Sequence, residues 1–420
     1  MSTDLLHQKV ISLSSYPLFH DQLETLRKFE EGLRNLDDWG LARINPLAFA
    51  EHYGLPSGVC VDLFIAGAKI GLFDLRWNLL CPGCGGVEYS VESMDQIAGD
   101  KFHCTICSID VTTELDNQIE AAFSINRGII PIDVSPFKSF DCYRRHFFSS
   151  NYERSKELND YSHRHFVSFT PLDPDGQKII EFTADRSSLY RLLSMVSHSE
   201  LHLRIDDKET EAAQTLIVDI AENGFMVHNL QAHPGQISLA INNRTKKPNA
   251  AALLKTDFSL LHSILKSHPN IRRRFLTAKD LLNNQTFREL FRVQNLSRDL
   301  SLNVQNLSII FTDLKDSTMM YDRAGDFTAY KLVRRHFEIL IAIIRKNSGA
   351  IVKTMGDAIM ATFSTPAHAV RASVDMLRQA AAMPPESGYR IGLKVGAHEG
   401  SALAVVADER LDYFGQSVNI

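Results

Sequence analysis

The rhythm of apolar and polar positions changes several times along the chain, and each change marks a candidate boundary. Residues 20–36, HDQLETLRKFEEGLRNL, set Leu23, Leu26, Phe29, Leu33 and Leu36 at helical spacing. Two short helical patterns then flank GLPSG, and GLFDLRW follows with strand-like alternation. This order over 1–78 is winged-helix-like, although any helical hairpin before a strand shares it. From 116 to 255 the pattern shortens to runs such as QIEAAFSI, RHFVSFT, QTLIVDI and QISLAIN, punctuated by Gly, Pro, Asn and Asp. That predicts a β-rich module, sandwich or barrel, with a hairpin at Glu222-Asn223-Gly224. Residues 256–302 return to helical spacing, and VQNLSRDLSLNVQN reads as a linker into the last domain.

Residues 303–420 carry the clearest pattern. The apolar strand SIIF ends at Thr312-Asp313, and a helix follows with Ser317 or Thr318 as its cap. RRHFEILIAIIRKNSG is an amphipathic helix ending at Gly349. IVKTM and AIMATF meet at Gly356-Asp357, a two-residue hairpin loop whose leading glycine suits a type II′ turn. A second long helix, PAHAVRASVDMLRQAAAM, precedes the strand in YRIGLKVGAHEG. The order β-α-β-β-α-β is ferredoxin-like, so the chain as a whole is a multidomain α+β protein. In that topology the first strand lies beside the hairpin, and Asp313 and Asp357 approach each other. Two adjacent carboxylates are costly without a cation, and Mg²⁺ takes one or two carboxylates plus substrate phosphates. Spacing alone leaves two readings level: half of a two-metal phosphoryl site, or two turn aspartates.

Composition narrows the class. The chain has 420 residues, 45 Lys and Arg against 50 Asp and Glu, hence a net charge of −5. Two to four soluble domains follow from that length, and the acidic balance speaks against nucleic acid as the partner. The start lacks a basic segment before an apolar core, and the longest late apolar run, ILIAII, is too short to span a bilayer. The expectation is a cytoplasmic protein with no membrane partner. Four of the six cysteines form CxxC pairs, Cys81/Cys84 and Cys104/Cys107, separated by nineteen residues. In a reducing compartment this spacing predicts a closed, structural Cys₄ zinc ribbon over 79–115; four unligated buried thiols are the alternative.

Taken together, FTDLKDST, GAIVKTMGDAIMATF, VGAHEG and LDYFGQSVN resemble the catalytic domain of class III nucleotidyl cyclases across 303–420. GLFDLRWNLLCPGCG with the zinc ribbon resembles the region preceding some bacterial cyclase domains. The resemblance implies that Asp313 and Asp357 bind two Mg²⁺ or Mn²⁺ ions, with the Leu314 carbonyl as a further ligand and Thr318 in the phosphate-facing turn. It implies that Lys353 and Asp412 read adenine, favouring ATP over GTP, since Lys donates to a ring nitrogen and Asp accepts from the exocyclic amine. Asn419 matches the asparagine that orients the ribose. The metal aspartates and the base readers come from opposite protomers in this family, which implies a head-to-tail homodimer. The implied function is an adenylate cyclase with amino-terminal regulatory modules; a catalytically weak nucleotide sensor and a guanylate cyclase are the alternatives. Three departures stand out: Asp316 replaces a usual glycine, the later glycine pair is missing, and the sequence ends at Ile420 before the family's following arginine and last strands.

Overall fold

The computed structural model describes residues 4–97, 101–114, 116–208, 213–291, 302–385, 390–407 and 410–419. At the amino terminus, helices Leu5–Leu13, Leu23–Arg34, Pro46–Tyr53 and Ser57–Lys69 enclose Phe29, Phe49, Phe64 and Phe73. Phe29 meets the other three edge-on at centroid distances of 5.1–6.1 Å, a geometry worth more than area burial alone. Local sequence fixes the third helix: Asn45 accepts from the amides of Leu47 and Ala48, Pro46 occupies the first turn, and Gly54 ends it in the left-handed region (φ 62°).

The strand expected after these helices is present as Phe73–Leu80, but it is not a wing on a separate unit. It is the centre of a three-stranded sheet, between Val87–Val91 and Ile119–Ile125. The boundary expected at 78 therefore falls inside a strand, and the β-rich module does not begin at 116. Helices Phe140–Phe147 and Lys156–His165 intervene before it. Both are short, so that their apolar stripes, Phe140/Tyr143/Phe147 and Leu158/Tyr161, span only two to three positions each; Ser139 and Ser155 cap them by accepting from the amides of Cys142 and Leu158. The sandwich occupies Phe166–Lys255, a five-stranded sheet facing a four-stranded one over a core that includes Leu192, Leu203, Val218, Leu239 and Leu253. The expected hairpin is there, with Ala221 opposite Gly224.

The 256–302 segment folds onto its neighbours rather than spacing them. It holds helices Phe258–Ser267 and Ala278–Leu282 and α1 (Gln285–Leu290). Of the predicted linker VQNLSRDLSLNVQN, residues 293–301 lie outside the described residues, and the rest already belongs to strand β1 (Leu302–Leu314).

After β1 come α2 (Ser317–Ala324), α3 (Asp326–Lys346), β2 (Gly349–Met355), β3 (Ala358–Phe363), α4 (Pro366–Ala382), β4 (Leu393–Ala407) and β5 (Arg410–Phe414). The sheet order is β2-β3-β1-β4-β5, the ferredoxin-like arrangement with one strand added beyond β4. Ser348, not Gly349, takes the left-handed position after α3 (φ 56°); Gly349 is needed because an added Cβ would lie 2.2 Å from the Phe363 ring. One face of the sheet packs under α3 and α4 through Ile310, Leu340, Ile344, Ile359 and Met376. The opposite face, Leu307, Ile309, Met360, Ala402, Ala404 and Tyr413, is continuous with the amino-terminal core through Trp77, Leu276, Leu282 and Phe287. No helix among the described residues is long and apolar enough to cross a membrane.

Candidate active site

Alternation along β1 decides where its carboxylate points. Ile310 and Leu314 pack towards the helices, while Leu307, Ile309 and Phe311 face the other way, so Asp313 lies on the helix-free face. Its cross-strand neighbour is Lys394 on β4, whose Nζ sits 3.0 Å from Asp313 Oδ2. Both side chains are more than half exposed, so this pair is worth about 0–1 kcal/mol. The covered part of that face stops short of Asp313, which stays open to solvent.

Thr312 pairs with Ile359 in the β1–β3 ladder, and Met355 pairs with Ala358 across the hairpin. Asp313 and Asp357 therefore sit at the same end of neighbouring strands, with Leu314 continuing the register towards the turn. Gly356 has φ 62° and Asp357 is not left-handed, as a leading-glycine hairpin turn requires. Asp357 Oδ2 is buried and has no hydrogen-bond partner. A carboxylate oxygen shielded from solvent and left without a donor is one that a hard divalent ion could take as a ligand.

Beside Asp357, on α3, lies His336, which sequence reasoning did not single out. It is 1% exposed, and neither ring nitrogen has a partner. Burial pulls its pKa down to about 4, with the Asp357 charge opposing.

The turn after β1 departs from the expected cap. Helix α2 starts at Ser317, and its N-cap is Asp316, which makes no side-chain cap bond and adopts φ 57°. Aspartate thus holds the backbone shape expected of glycine there. Thr318 lies in the first turn of α2, exposed.

Lys353 and Asp412 come together. Lys353 Nζ lies 2.6 Å from Asp412 Oδ2 although β2 and β5 are opposite edges of the sheet. Two features make this reach possible. The β2–β3 register shifts between Ile351 and Lys353, a bulge that leaves Val352 unpaired and puts Lys353 opposite Met360 on the helix-free face. Strand β4 pairs first with β1 and then, over Leu403–Ala407, with β5, so the β4–β5 arm curls across that face. Asn419 follows β5 as the exposed C-cap of a short 3₁₀ turn, Gln416–Val418; none of its hydrogen bonds reaches Asp313 or Asp357.

Helix α1 braces both sheet edges. Gln285 accepts from the Ile351 amide at 2.9 Å, Arg288 donates to the Leu411 carbonyl at 3.3 Å, and Arg345 meets Glu289 at 2.6 Å. These contacts flank Lys353 on one strand and Asp412 on the other.

In the amino-terminal region, Cys81, Cys84, Cys104 and Cys107 are buried with all four sulfurs within 4.8 Å of one another. Two of the sulfur pairs lie 4.0 and 3.7 Å apart. Four ligands about 2.3 Å from one tetrahedral ion have sulfur–sulfur edges of roughly 3.8 Å, so the cluster fits a closed Cys₄ centre. The hairpin formed by Lys101–Cys104 and Ile109–Thr112 delivers the second pair to the first.

Comparison with known proteins bears on both halves. Residues 20–289 match the model of a "Family of unknown function (DUF5939)". Residues 301–420 match that of the "Adenylate and Guanylate cyclase catalytic domain". An adenylate cyclase of Lachancea kluyveri is 28% identical over 165 residues, covering 34% of this chain and 9% of that protein. One of Neurospora crassa is 32% identical over 135 residues, covering 27% and 6%. The chain thus spans under a tenth of the length of these relatives. Among solved structures, the guanylyl cyclase domain of the RhoGC fusion protein of Blastocladiella emersonii aligns at 18% identity and a TM-score of 0.27, covering 28% of this chain and 73% of that one.

Proposed function

Given that the chain belongs to the family of unknown function (DUF5939) and carries an adenylate and guanylate cyclase catalytic domain over 301–420, we propose that it is an adenylate cyclase whose amino-terminal modules regulate the catalytic domain. The observation that carries this reading is the Lys353–Asp412 pair, held at 2.6 Å on one face of the sheet with Asp313 on that same face. A lysine donor and a carboxylate acceptor side by side match the ring nitrogen and amino group of adenine; guanine presents a carbonyl at the corresponding position.

In this reading Asp313 and Asp357 hold two Mg²⁺ or Mn²⁺ ions, with the Leu314 carbonyl as a further ligand and Thr318 near the triphosphate. Bound divalent ions neutralise phosphate charge and make the ribose hydroxyl more acidic. The 3′-oxygen of ATP bonds to the α-phosphorus, the bond to the bridging oxygen breaks, and pyrophosphate leaves; the hydroxyl proton is lost to solvent. Lys353 and Asp412 orient the base, and Asn419 orients the ribose. In this reading a second copy supplies the complementary half, and the working unit is a homodimer. The Cys₄ cluster holds a structural Zn²⁺.

The decisive experiment is cyclic AMP formation from Mn²⁺-ATP by the full chain, alongside Asp313→Asn. Turnover that disappears in the variant supports the proposal; equal turnover in both overturns it. A second reading, a nucleotide sensor without turnover, is favoured by one observation: Lys394 already engages Asp313. Bound ATP with no product would select it.

A further inference from the structure

A concave site that no residue of the catalytic sheet lines lies between the amino-terminal helices, the three-stranded sheet and helix Phe140–Phe147. Its volume is about 710 Å³, within the range typical of small-molecule sites. Five arginines line it, Arg43, Arg76, Arg127, Arg145 and Arg273, against a single carboxylate, Asp74. Three of the five have acidic partners at the rim: Arg76 with Glu92 at 2.8 Å, Arg145 with Asp37 at 3.8 Å and Arg273 with Glu153 at 3.1 Å. Asp74 is itself engaged, accepting from Asn126 at 3.0 Å.

Arg43 and Arg127 are different. Arg43 has no carboxylate within ion-pair distance among the described residues; it donates to the carbonyls of Arg145, His146 and Phe148, at the end of helix Phe140–Phe147. A helix C-terminus offers about half a negative charge, which offsets only part of a guanidinium. Burial lowers the pKa of Arg43, and the charge of Glu120 opposes this. Its backbone is left-handed at φ 56°, a costly conformation for a residue with a Cβ and one that gathers at functional sites. Arg127 is exposed and makes no hydrogen bond or ion pair among the described residues. Between them His146 is held neutral, its pKa brought down to about 4 by burial and by Arg43 and Arg127. A concave wall with this surplus of cationic donors concentrates a field that favours anions, and guanidinium forks match phosphate oxygens two at a time.

We propose that this cavity is a binding site for a small phosphorylated ligand, held by Arg43 and Arg127. The assignment does not depend on the catalytic reading. It can be tested by calorimetric titration of the full, metal-loaded chain with sodium tripolyphosphate at fixed ionic strength, in a buffer with no added Mg²⁺ or Mn²⁺ so that any metal-dependent triphosphate site stays silent. The expected result is saturable one-to-one binding that weakens at least about tenfold in Arg127→Gln and in Arg43→Met, and is unchanged in Lys353→Ala. Arg127 makes no hydrogen bond or ion pair among the described residues, so its variant reports on the site even where Arg43→Met fails to fold. Absence of saturable binding, equal affinity in Arg127→Gln, or loss of binding in Lys353→Ala overturns the proposal. Citrate binding as tightly as tripolyphosphate overturns the phosphate assignment.

Discussion

Lys353 and Asp412 stand on opposite edges of a five-stranded sheet and yet share a 2.6 Å ion pair. Their side chains are 40% and 19% exposed, so the pair is not locked in the core and each partner remains available to a ligand. If they read adenine, Lys353→Ala should lower kcat/KM for ATP by about 10- to 100-fold, the worth of a hydrogen bond to a charged group. The ratio of ATP to GTP turnover should fall with it. Parallel assays with both nucleotides check this; an unchanged ratio would remove Lys353 from base recognition.

Asp313 and Asp357 should act as a unit. Replacing either by asparagine keeps the shape but removes a charge, and should abolish measurable Mn²⁺ binding and cyclase turnover together. Asp357→Asn should not unfold the protein, because the Oδ2 of Asp357 has no protein partner to lose. Calorimetric Mn²⁺ titration and a thermal melt separate the two effects.

Arg288 ties α1 to β5 through the Leu411 carbonyl and lies 5.7 Å from the Tyr413 ring centre. Arg288→Ala should loosen β5 and raise KM for ATP several-fold, more than it changes kcat. Amide exchange over 410–414 should accelerate in the variant, while exchange in α4, on the far face, stays as it was.

His336 should make the protein acid-sensitive. Its folded pKa, about 4, lies below the ordinary value of 6.5. The unfolded chain therefore takes up a proton first, and stability that is intact above pH 6.5 is lost as pH falls towards 4. A shift of this size corresponds to roughly 3 kcal/mol. His336→Phe should flatten denaturation midpoints between pH 6.5 and 4; an unaltered slope would assign the acid sensitivity elsewhere.

The cysteine cluster should carry one zinc per chain. Metal analysis of the purified protein and a melt after chelation check this. Cys104→Ser should lower the melting temperature by several degrees, because Cys104 sits in the same core as Trp77 and Phe102.

Much of the catalytic sheet was legible in the sequence, because its strands alternate and its turns carry their own chemistry. The hairpin at Gly356-Asp357 and the pairing of β1 with β3 both follow from pattern. So does the meeting of two CxxC knuckles. The bulge at Val352 was not legible, since a one-residue shift leaves no mark on composition, and the curl of β4 depends on contacts with another domain. The helices Phe140–Phe147 and Lys156–His165 were missed because each is two to three turns long and its apolar stripe is correspondingly brief, although their serine caps were in plain view. Trp77 reads as the end of a strand; only the fold reveals that its ring meets Phe287 edge-on at 5.9 Å, joining two regions that a boundary at 78 would separate.

Cutting the chain before Leu302 would strip Leu276, Leu282, Phe287 and Trp77 from the sheet surface formed by Leu307, Ile309, Met360 and Tyr413. The freed cyclase domain would then wet a broad greasy panel and cling to whatever apolar partner it met first, a second excised copy included. Assays on that excised piece would report a molecule with a different appetite for self-association from the one the intact chain folds into.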